Sequence, residues 1–318
     1  MKVAVTGATG FVGTVTLRAL AAAGAEVVPI VRRPVGLAHE RVVPRFEREL
    51  LQSALVGCDA VVHAAAVVHR RDAALADYEA LNVHGTRALC EAAHAVGVRR
   101  LVLLGSVKVY GEGPFERVTE ETPVASNLGY AVTKLEAERI VQAADAGFTD
   151  GTCVLRLVPV YGIGDKGNVR AMILNAARGT LVVPGPGRTE KSLVHVSKVA
   201  EAISRAVHST HRGTYLVADP KPPTMRQLAD SITRALGRAP VRSVPIAPLV
   251  LAARLVDTGL KLLRRRPQDV TGLVQKSQFR TVFDPSKYER TFEHSLHTDL
   301  DASVREEVEW LRSIGTIR

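Results

Sequence analysis

The stretch Val3-Ala-Val-Thr-Gly-Ala-Thr-Gly-Phe-Val-Gly13 constrains this chain more than any other. A short apolar run, residues 3–5, stops at Thr6-Gly7, and further glycines follow at 10 and 13. Residues 14–23 then carry helical patterning that ends at Gly24. Strand, glycine turn and helix in that order let the backbone approach a pyrophosphate. They also aim a helix N-terminus at it, where free N–H groups and the helix dipole favour negative charge. The spacing is Gly-x-x-Gly-x-x-Gly rather than Gly-x-Gly-x-x-Gly, so the context carries the assignment more than the glycine count does.

The residues that follow extend the same alternation. Residues 26–31 form a second apolar run that ends at Arg32-Arg33-Pro34. A site for NAD places Asp or Glu about twenty residues past the fingerprint, on the ribose hydroxyls. Here Val31 is apolar and two arginines follow, which suits a 2′-phosphate. NADP(H) is therefore favoured, with NAD(H) the alternative. Cys58-Asp-Ala-Val-Val-His-Ala-Ala-Ala66 reads as a buried strand and a small-residue turn, serving either close packing or close approach to a ligand. Residues 75–96 carry helical patterning around Asn82. Leu101-Val-Leu-Leu104 is another buried strand, ending at Gly105-Ser106, and residues 153–162 are a further one that breaks at Pro159.

This alternation predicts a parallel sheet with helices on both faces and ligands at the carboxyl ends of its strands. The glycine turn, Arg32, Ala64, Ala65, Ala66 and Ser106 all fall at such ends. Beyond residue 162 the alternation breaks down into turns, short strands and mostly helical segments. The fold class expected is α/β: a doubly wound parallel sheet of the Rossmann type with a smaller mixed α/β lobe. Residues 1–165 with about 193–217 would bind the dinucleotide, and about 166–192 with 218–318 would bind substrate.

Tyr130-Ala-Val-Thr-Lys134 opens a helix that runs to about residue 144. Tyrosine and lysine at i and i+4 share one helix face. An ammonium near a phenol lowers the phenol's pKa, and a phenol so tuned can exchange a proton with a hydroxyl or carbonyl. Such a pair is common on protein surfaces. It gains meaning from lying downstream of the glycine turn and of Ser106.

The 42 basic and 32 acidic residues leave a formal charge of +10 on 318 residues, which points to an anionic ligand, a nucleic acid or a membrane surface. No nucleic-acid recognition motif is present, and no apolar run reaches the length of a membrane span. Cys58, Cys90 and Cys153 are sparse and lack metal-ligand spacing. A reducing, cytoplasmic setting and no metal are expected from them. A strand at the very start predicts no signal peptide. One stretch stands apart: Pro248 to Leu262 is apolar and runs into Arg264, Arg265 and Arg266. It fits either peripheral contact with an anionic membrane or a pair of lobe helices with arginines in the last turn. The interruptions at Pro248 and Asp257 favour the helices.

Taken together, these residues resemble a known family. Thr6-Gly-Ala-Thr-Gly-Phe-Val-Gly13, Asp59 with His63-Ala-Ala-Ala66, Asn82, Ser106 before Val109-Tyr-Gly111, Tyr130-x-x-x-Lys134 and Val160-Tyr-Gly162 occur in the order seen in extended short-chain dehydrogenase/reductases. The set is most similar to the NAD-dependent epimerase/dehydratase branch, and the resemblance runs through Asp284-Pro-Ser-Lys287. Within that branch it looks like the bacterial UDP-sugar 4-epimerases and 4-keto-reductases. His69-Arg-Arg71, Asn82-Val-His-Gly-Thr86, Ser106-Val-Lys108, Lys166-Gly-Asn168 and Lys191-Ser-Leu-Val-His195 carry the likeness to the reductases.

The resemblance implies roles. Gly7, Gly10 and Gly13 would cradle the pyrophosphate with Phe11 and Val12 alongside. Arg32 would meet the 2′-phosphate and Asp59 the adenine. Ala64, Ala65, Ala66, Asn82 and Pro159 would border the cofactor. Lys134 would hold the nicotinamide ribose and tune Tyr130, the general acid/base, while Ser106 hydrogen-bonds the reacting oxygen. Ser106, Asn168 and Lys191 would contact substrate, with Lys191 standing where epimerases often place a UDP-contacting arginine. A lysine there is a point charge rather than a bidentate fork. Lys198 stands where the family commonly has aspartate. The acidic pair of the dehydratases is replaced by Ser106-Val-Lys108, which disfavours dehydration. A homodimer through two helices of the first domain is also implied.

The function expected is therefore oxidation or reduction at a sugar carbon, C4, of a nucleotide sugar, with a UDP-4-keto sugar reductase foremost. The alternatives are a nucleotide-sugar 4-epimerase that retains NAD, an NADPH-dependent reductase of a hydrophobic carbonyl such as a steroid or flavonoid-like compound, and a non-catalytic NADP-binding protein. The intact Ser106, Tyr130 and Lys134 speak against the last.

Overall fold

The computed structural model describes residues 1–67, 75–125, 129–262 and 269–317. His69-Arg-Arg71 and Arg264, Arg265 and Arg266 lie outside the described residues. The apolar runs form a seven-stranded sheet in the order Gly213–Val217, Gly151–Leu157, Arg100–Ser106, Ala60–His63, Lys2–Thr6, Glu26–Val31, Arg41–Val42. Every neighbouring pair is parallel. Val3 pairs with Val27 on one side and with Ala60 on the other.

Both faces of the sheet are covered, which is why its strands read as continuous Val, Leu and Ile rather than as an alternation. Val3, Val5, Val62 and Val102 pack on one face with Leu20, Val199 and Ile203, from the helices Phe11–Ala22 and Val196–Val207. Ala4, Val61 and Leu101 pack on the other with Leu51, Leu89 and Ile140, from Arg48–Leu55, Thr86–Ala95 and Gly129–Ala143. This is the doubly wound fold expected. The strand order reverses between Lys2–Thr6 and Ala60–His63, and chains leaving in opposite directions open a crevice there at the carboxyl ends.

Three local features depart from a uniform reading of the sequence. The first helix begins at Phe11, because Gly10 serves as its N-cap and accepts the Thr14 N–H at 3.0 Å. The patterning over 75–96 is broken by a π-helical turn, Glu79–Gly85, which holds Asn82. Such turns recur at functional sites because the extra residue redirects side chains. Pro248 does not stop the helix Ile246–Leu262: it sits in the first turn, where no intrahelical N–H donor is needed.

A third core, containing Ile173, Leu228, Ile232, Val304 and Val308, binds the helices Asn168–Ala177, Met225–Leu236 and Leu300–Ser313 together. The helices Ile246–Leu262 and Val270–Lys276 pack on each other. Asp257 joins them by accepting the N–H groups of Val270 at 2.9 Å and Thr271 at 3.0 Å.

Candidate active site

The glycine turn has no room for side chains. Gly7 has φ +68°, and a Cβ on it would lie 2.7 Å from Ala64 C and from Ala65 N. A Cβ on Gly13 would run into the Gly7 carbonyl, and one on Gly10 would lie 3.1 Å from it. No side chain caps the helix at Gly10. The first-turn N–H groups thus open onto a cleft of about 540 Å³ lined by Gly7, Thr9, Gly10, Val31, Arg32, Ala64, Ala65 and Ala66, together with Phe46, Val67 and Leu81. The fit to a dinucleotide is physical: a turn packed too closely for side chains at Gly7 and Gly13, N–H donors, and Arg32 at the rim of the cleft.

A buried polar network holds the wall of this cleft. His63 Nδ1 lies 2.8 Å from Thr6 Oγ1, and His63 Nε2 lies 3.0 Å from Thr86 Oγ1. The Thr86 hydroxyl donates to Asn82 O at 2.7 Å, so it accepts from Nε2–H. Nδ1 is then the acceptor of the Thr6 hydroxyl, whose oxygen also accepts the Ala65 N–H at 3.2 Å. Burial, reinforced by the Lys134 charge, pushes His63 down to about 3, so the ring is neutral and this tautomer is fixed. Asn82 accepts the Val67 N–H at 2.8 Å, and its Nδ2 donates to Val67 O at 3.2 Å and Thr133 Oγ1 at 3.1 Å. Thr133 in turn donates to Tyr130 O at 2.8 Å. The wall of the cleft and the helix of Tyr130 are thereby one hydrogen-bonded unit.

Ser106 ends the central strand beside Tyr130, and its Oγ accepts the Lys108 N–H at 3.3 Å. The Tyr130 ring packs edge-on to Tyr78, with centroids 6.1 Å apart. Burial pushes the phenol up to about 12, against the pull of the neighbouring Ser106 hydroxyl. The expected lowering by Lys134 is not found. The Lys134 ammonium donates to Leu104 O at 2.6 Å instead, and burial presses it down to about 8 while Glu138 pulls it up.

One turn further along the helix, the buried Glu138 receives Arg156 Nε at 2.9 Å and Nη2 at 2.8 Å. Arg156 Nη1 donates to the Tyr110 hydroxyl at 2.6 Å. Burial raises the Glu138 carboxyl, opposed chiefly by Arg156. A Cβ at Gly105 would lie 2.5 Å from Glu138 Oε1, so glycine is required there too.

Pro159 follows the strand Gly151–Leu157, on the same edge of the sheet, and its carbonyl accepts the Val194 N–H at 3.2 Å. The 162–167 loop then crosses to the glycine turn, where a Cβ on Gly164 would lie 3.3 Å from the Phe11 ring. Phe11 therefore faces this loop, and Val12 packs into the core. Asn168 is exposed at the start of the helix Asn168–Ala177.

Three of the expected contacts do not form. Asp59 precedes its strand instead of following it, so it sits at the amino edge of the sheet, away from the cleft. It accepts the Lys2 N–H there at 2.7 Å. Asn82 is buried, and its amide is committed to Val67 and Thr133, so it braces the cleft without facing it. The Lys191 amine is turned onto the carbonyls of Phe279 and Lys276. Sequence reasoning missed Phe46, Val67, Leu81, Glu138 and Arg156. Only Glu138 left a signal, lying four residues past Lys134 on the same helix face.

Comparison with known proteins agrees with this geometry. A family model described as the NAD dependent epimerase/dehydratase family matches residues 3–218. A 4-hydroxy-2-methyl-3-oxo-4-farnesyl-3,4-dihydroquinoline-1-oxide ketoreductase of Stigmatella aurantiaca is 30% identical over 271 residues, covering 81% of this chain and 80% of that protein. A 3-diazoavenalumate denitrifying reductase of a Streptomyces species is 34% identical over 275 residues, covering 80% and 87%. Among solved structures, UDP-N-acetylglucosamine 4-epimerase from Bacillus cereus superposes with a TM-score of 0.78 over 98% of this chain and 99% of that one, at 19% identity. That last likeness is one of fold.

Proposed function

The chain belongs to the NAD dependent epimerase/dehydratase family, and from that premise we propose that it is an NADPH-dependent reductase of a keto group. It is a nicotinamide-dependent enzyme of the short-chain dehydrogenase/reductase type. The observation that carries the finer reading is Ser106 set beside Tyr130, whose helix is joined through Thr133, Asn82 and Thr86 to His63 in the wall of the glycine-lined cleft.

A nicotinamide dinucleotide held in that cleft would supply the hydride for reduction at a substrate carbon. Gly7, Gly10 and Gly13 would hold its pyrophosphate, and Arg32 a 2′-phosphate. Ser106 would donate to the substrate oxygen and Tyr130 would move the proton on that oxygen. A phenol held near 12 is protonated at neutral pH, the form that a ketone reduction consumes. Lys134 would place positive charge beside the pair, and Glu138 with Arg156 would hold that helix in register. Residues 166–192 and 218–318 are assigned as the lobe that meets substrate.

For the substrate, the family supports a nucleotide 4-keto sugar. A second reading, a carbonyl compound without a nucleotide, is favoured by a specific observation: the Lys191 amine meant for the diphosphate is committed to backbone carbonyls. The names of the two relatives at 30% and 34% identity, a ketoreductase and a reductase, support it as well.

The test is cofactor analysis of the purified protein, followed by thermal-shift titration. Cofactor-free protein that binds NADPH well ahead of NADH is the expected result. NAD(H) carried through purification would overturn both the use of Arg32 and the reductase reading in favour of an epimerase. Stabilisation by UDP selects the sugar reading, and no response to UDP selects the second.

A further inference from the structure

The helices Ile246–Leu262 and Val270–Lys276 expose an aliphatic face. Leu251, Leu255 and Val256 keep 61%, 67% and 50% of their surface in solvent, and Leu273 keeps 64%. Among the described residues, the other exposed large aliphatic side chains are scattered over separate elements. The inward side of the longer helix is apolar too, with Ala253 buried against the body. An exposed aliphatic face of this kind on one helix pair calls for a cover.

The charges say what kind. Residues 246–276 contain six basic residues and two acidic ones, Asp257 and Asp269. Asp257 accepts the N–H groups of Val270 and Thr271, and Asp269 accepts the N–H of Gly272 at 3.0 Å. Both carboxylates are thus committed to the N-terminus of the second helix, while Arg254 is exposed beside the leucines. A second copy of the chain would bring the same excess of positive charge to the contact, and like charge would oppose it. No helix among the described residues is long and apolar enough to cross a membrane. Aliphatic side chains flanked by basic ones suit a surface that offers acyl chains beneath anionic headgroups.

We propose that this helix pair seats the protein on an anionic phospholipid bilayer, with Leu251, Leu255 and Leu273 entering the acyl boundary and Arg254 meeting phosphate. The helix pair is tied to the loop that follows Ser106, where Lys276 pairs with Glu112 at 2.5 Å. Seating there would bring the site to the membrane surface, whichever substrate reading holds.

The full-length chain is sedimented with vesicles of phosphatidylcholine alone and of phosphatidylcholine with phosphatidylglycerol. The expected result is binding to the anionic vesicles, weakened by salt, with partitioning reduced about tenfold or more in Leu251→Ser/Leu255→Ser while NADPH binding is kept. Should that variant fail to fold, Arg254→Glu provides a second one, with a severalfold loss expected on anionic vesicles alone. Wild-type protein that stays in the supernatant with both vesicles would overturn the proposal. So would equal binding by wild type and variants, or a dimer in sedimentation equilibrium that Leu251→Ser/Leu255→Ser splits.

Discussion

At the carboxyl edge of the sheet, His63, Asn82 and Thr86 are polar side chains taken out of water, His63 held by Thr86 and Asn82 by Val67 and Thr133. In the helix pair Ile246–Leu262 and Val270–Lys276, Leu251, Leu255 and Leu273 are aliphatic side chains left in it. Each arrangement costs free energy by itself. The first is offset inside the chain, because its buried donors meet acceptors at hydrogen-bond distance. The second has to be offset outside it, by whatever covers the leucines. Substitutions at the sheet edge should therefore register in turnover and stability, and those on the helix pair in where the protein sits.

The sharpest contrast is in turnover. Tyr130→Phe removes the proton-transferring hydroxyl and little volume, so turnover is expected to fall by about 10²- to 10⁴-fold. NADPH affinity should stay near wild type, as read by fluorescence titration. Leu255→Ser should leave turnover of a water-soluble substrate untouched. Comparable turnover in wild type and Tyr130→Phe would remove Tyr130 from the chemistry.

Stability separates the regions next. Glu138→Ala leaves the buried Arg156 without its carboxylate, and losing one partner of a buried pair costs about 3–5 kcal/mol. A surface change such as Leu255→Ser should stay within about 0.5 kcal/mol of wild type. Urea denaturation of both proteins reads the difference. Equal midpoints would mean that Arg156 finds another partner. A smaller effect belongs to His63→Ala, which leaves the Thr6 hydroxyl proton without its acceptor and should cost about 1–3 kcal/mol. Because Thr6 also holds the Ala65 N–H, that variant should weaken NADPH binding more than it lowers maximal turnover.

How much of this was legible in the sequence follows from the same physics. Gly7 could be read because φ +68° and a backbone 2.7 Å away leave one residue type for the position. The strands could be read because burial on both faces demands unbroken Val, Leu and Ile. Asp59 was misplaced because a motif fixes spacing along the chain and does not say which end of a strand a residue occupies. Asn82 and Lys191 were misassigned for a related reason. An amide or an amine can serve the ligand or the backbone, and only the fold reveals that Val67 and Phe279 stand closer. Phe46 left no trace, since a lone phenylalanine after a two-residue strand matches no periodicity. Pro248 looked like a break until its place in the first helical turn was known.

The last contrast is one of pH. Burial lowers the Lys134 ammonium to about 8 from an ordinary 10.5, with Glu138 pulling the other way. In the unfolded chain the same amine keeps its proton up to 10.5. Between those values the unfolded state binds more protons than the folded state, so this residue's contribution to stability rises with pH. Below about 8 the charged form is buried and its cost is fully present; above 10.5 the amine is neutral in both states and the cost is gone. Replacing Lys134 by Met also strands Leu104 O, a penalty that does not titrate. The stability of Lys134→Met relative to wild type should therefore decline as pH is raised from 8 towards 10.5, whatever its sign at pH 7. Urea titrations at several pH values read that slope directly. Arg254→Met, on the exposed helix, is the control and should show no slope. A flat difference for Lys134→Met would mean that its charge is stabilised as well in the folded protein as in water, and that Glu138, not burial, governs it.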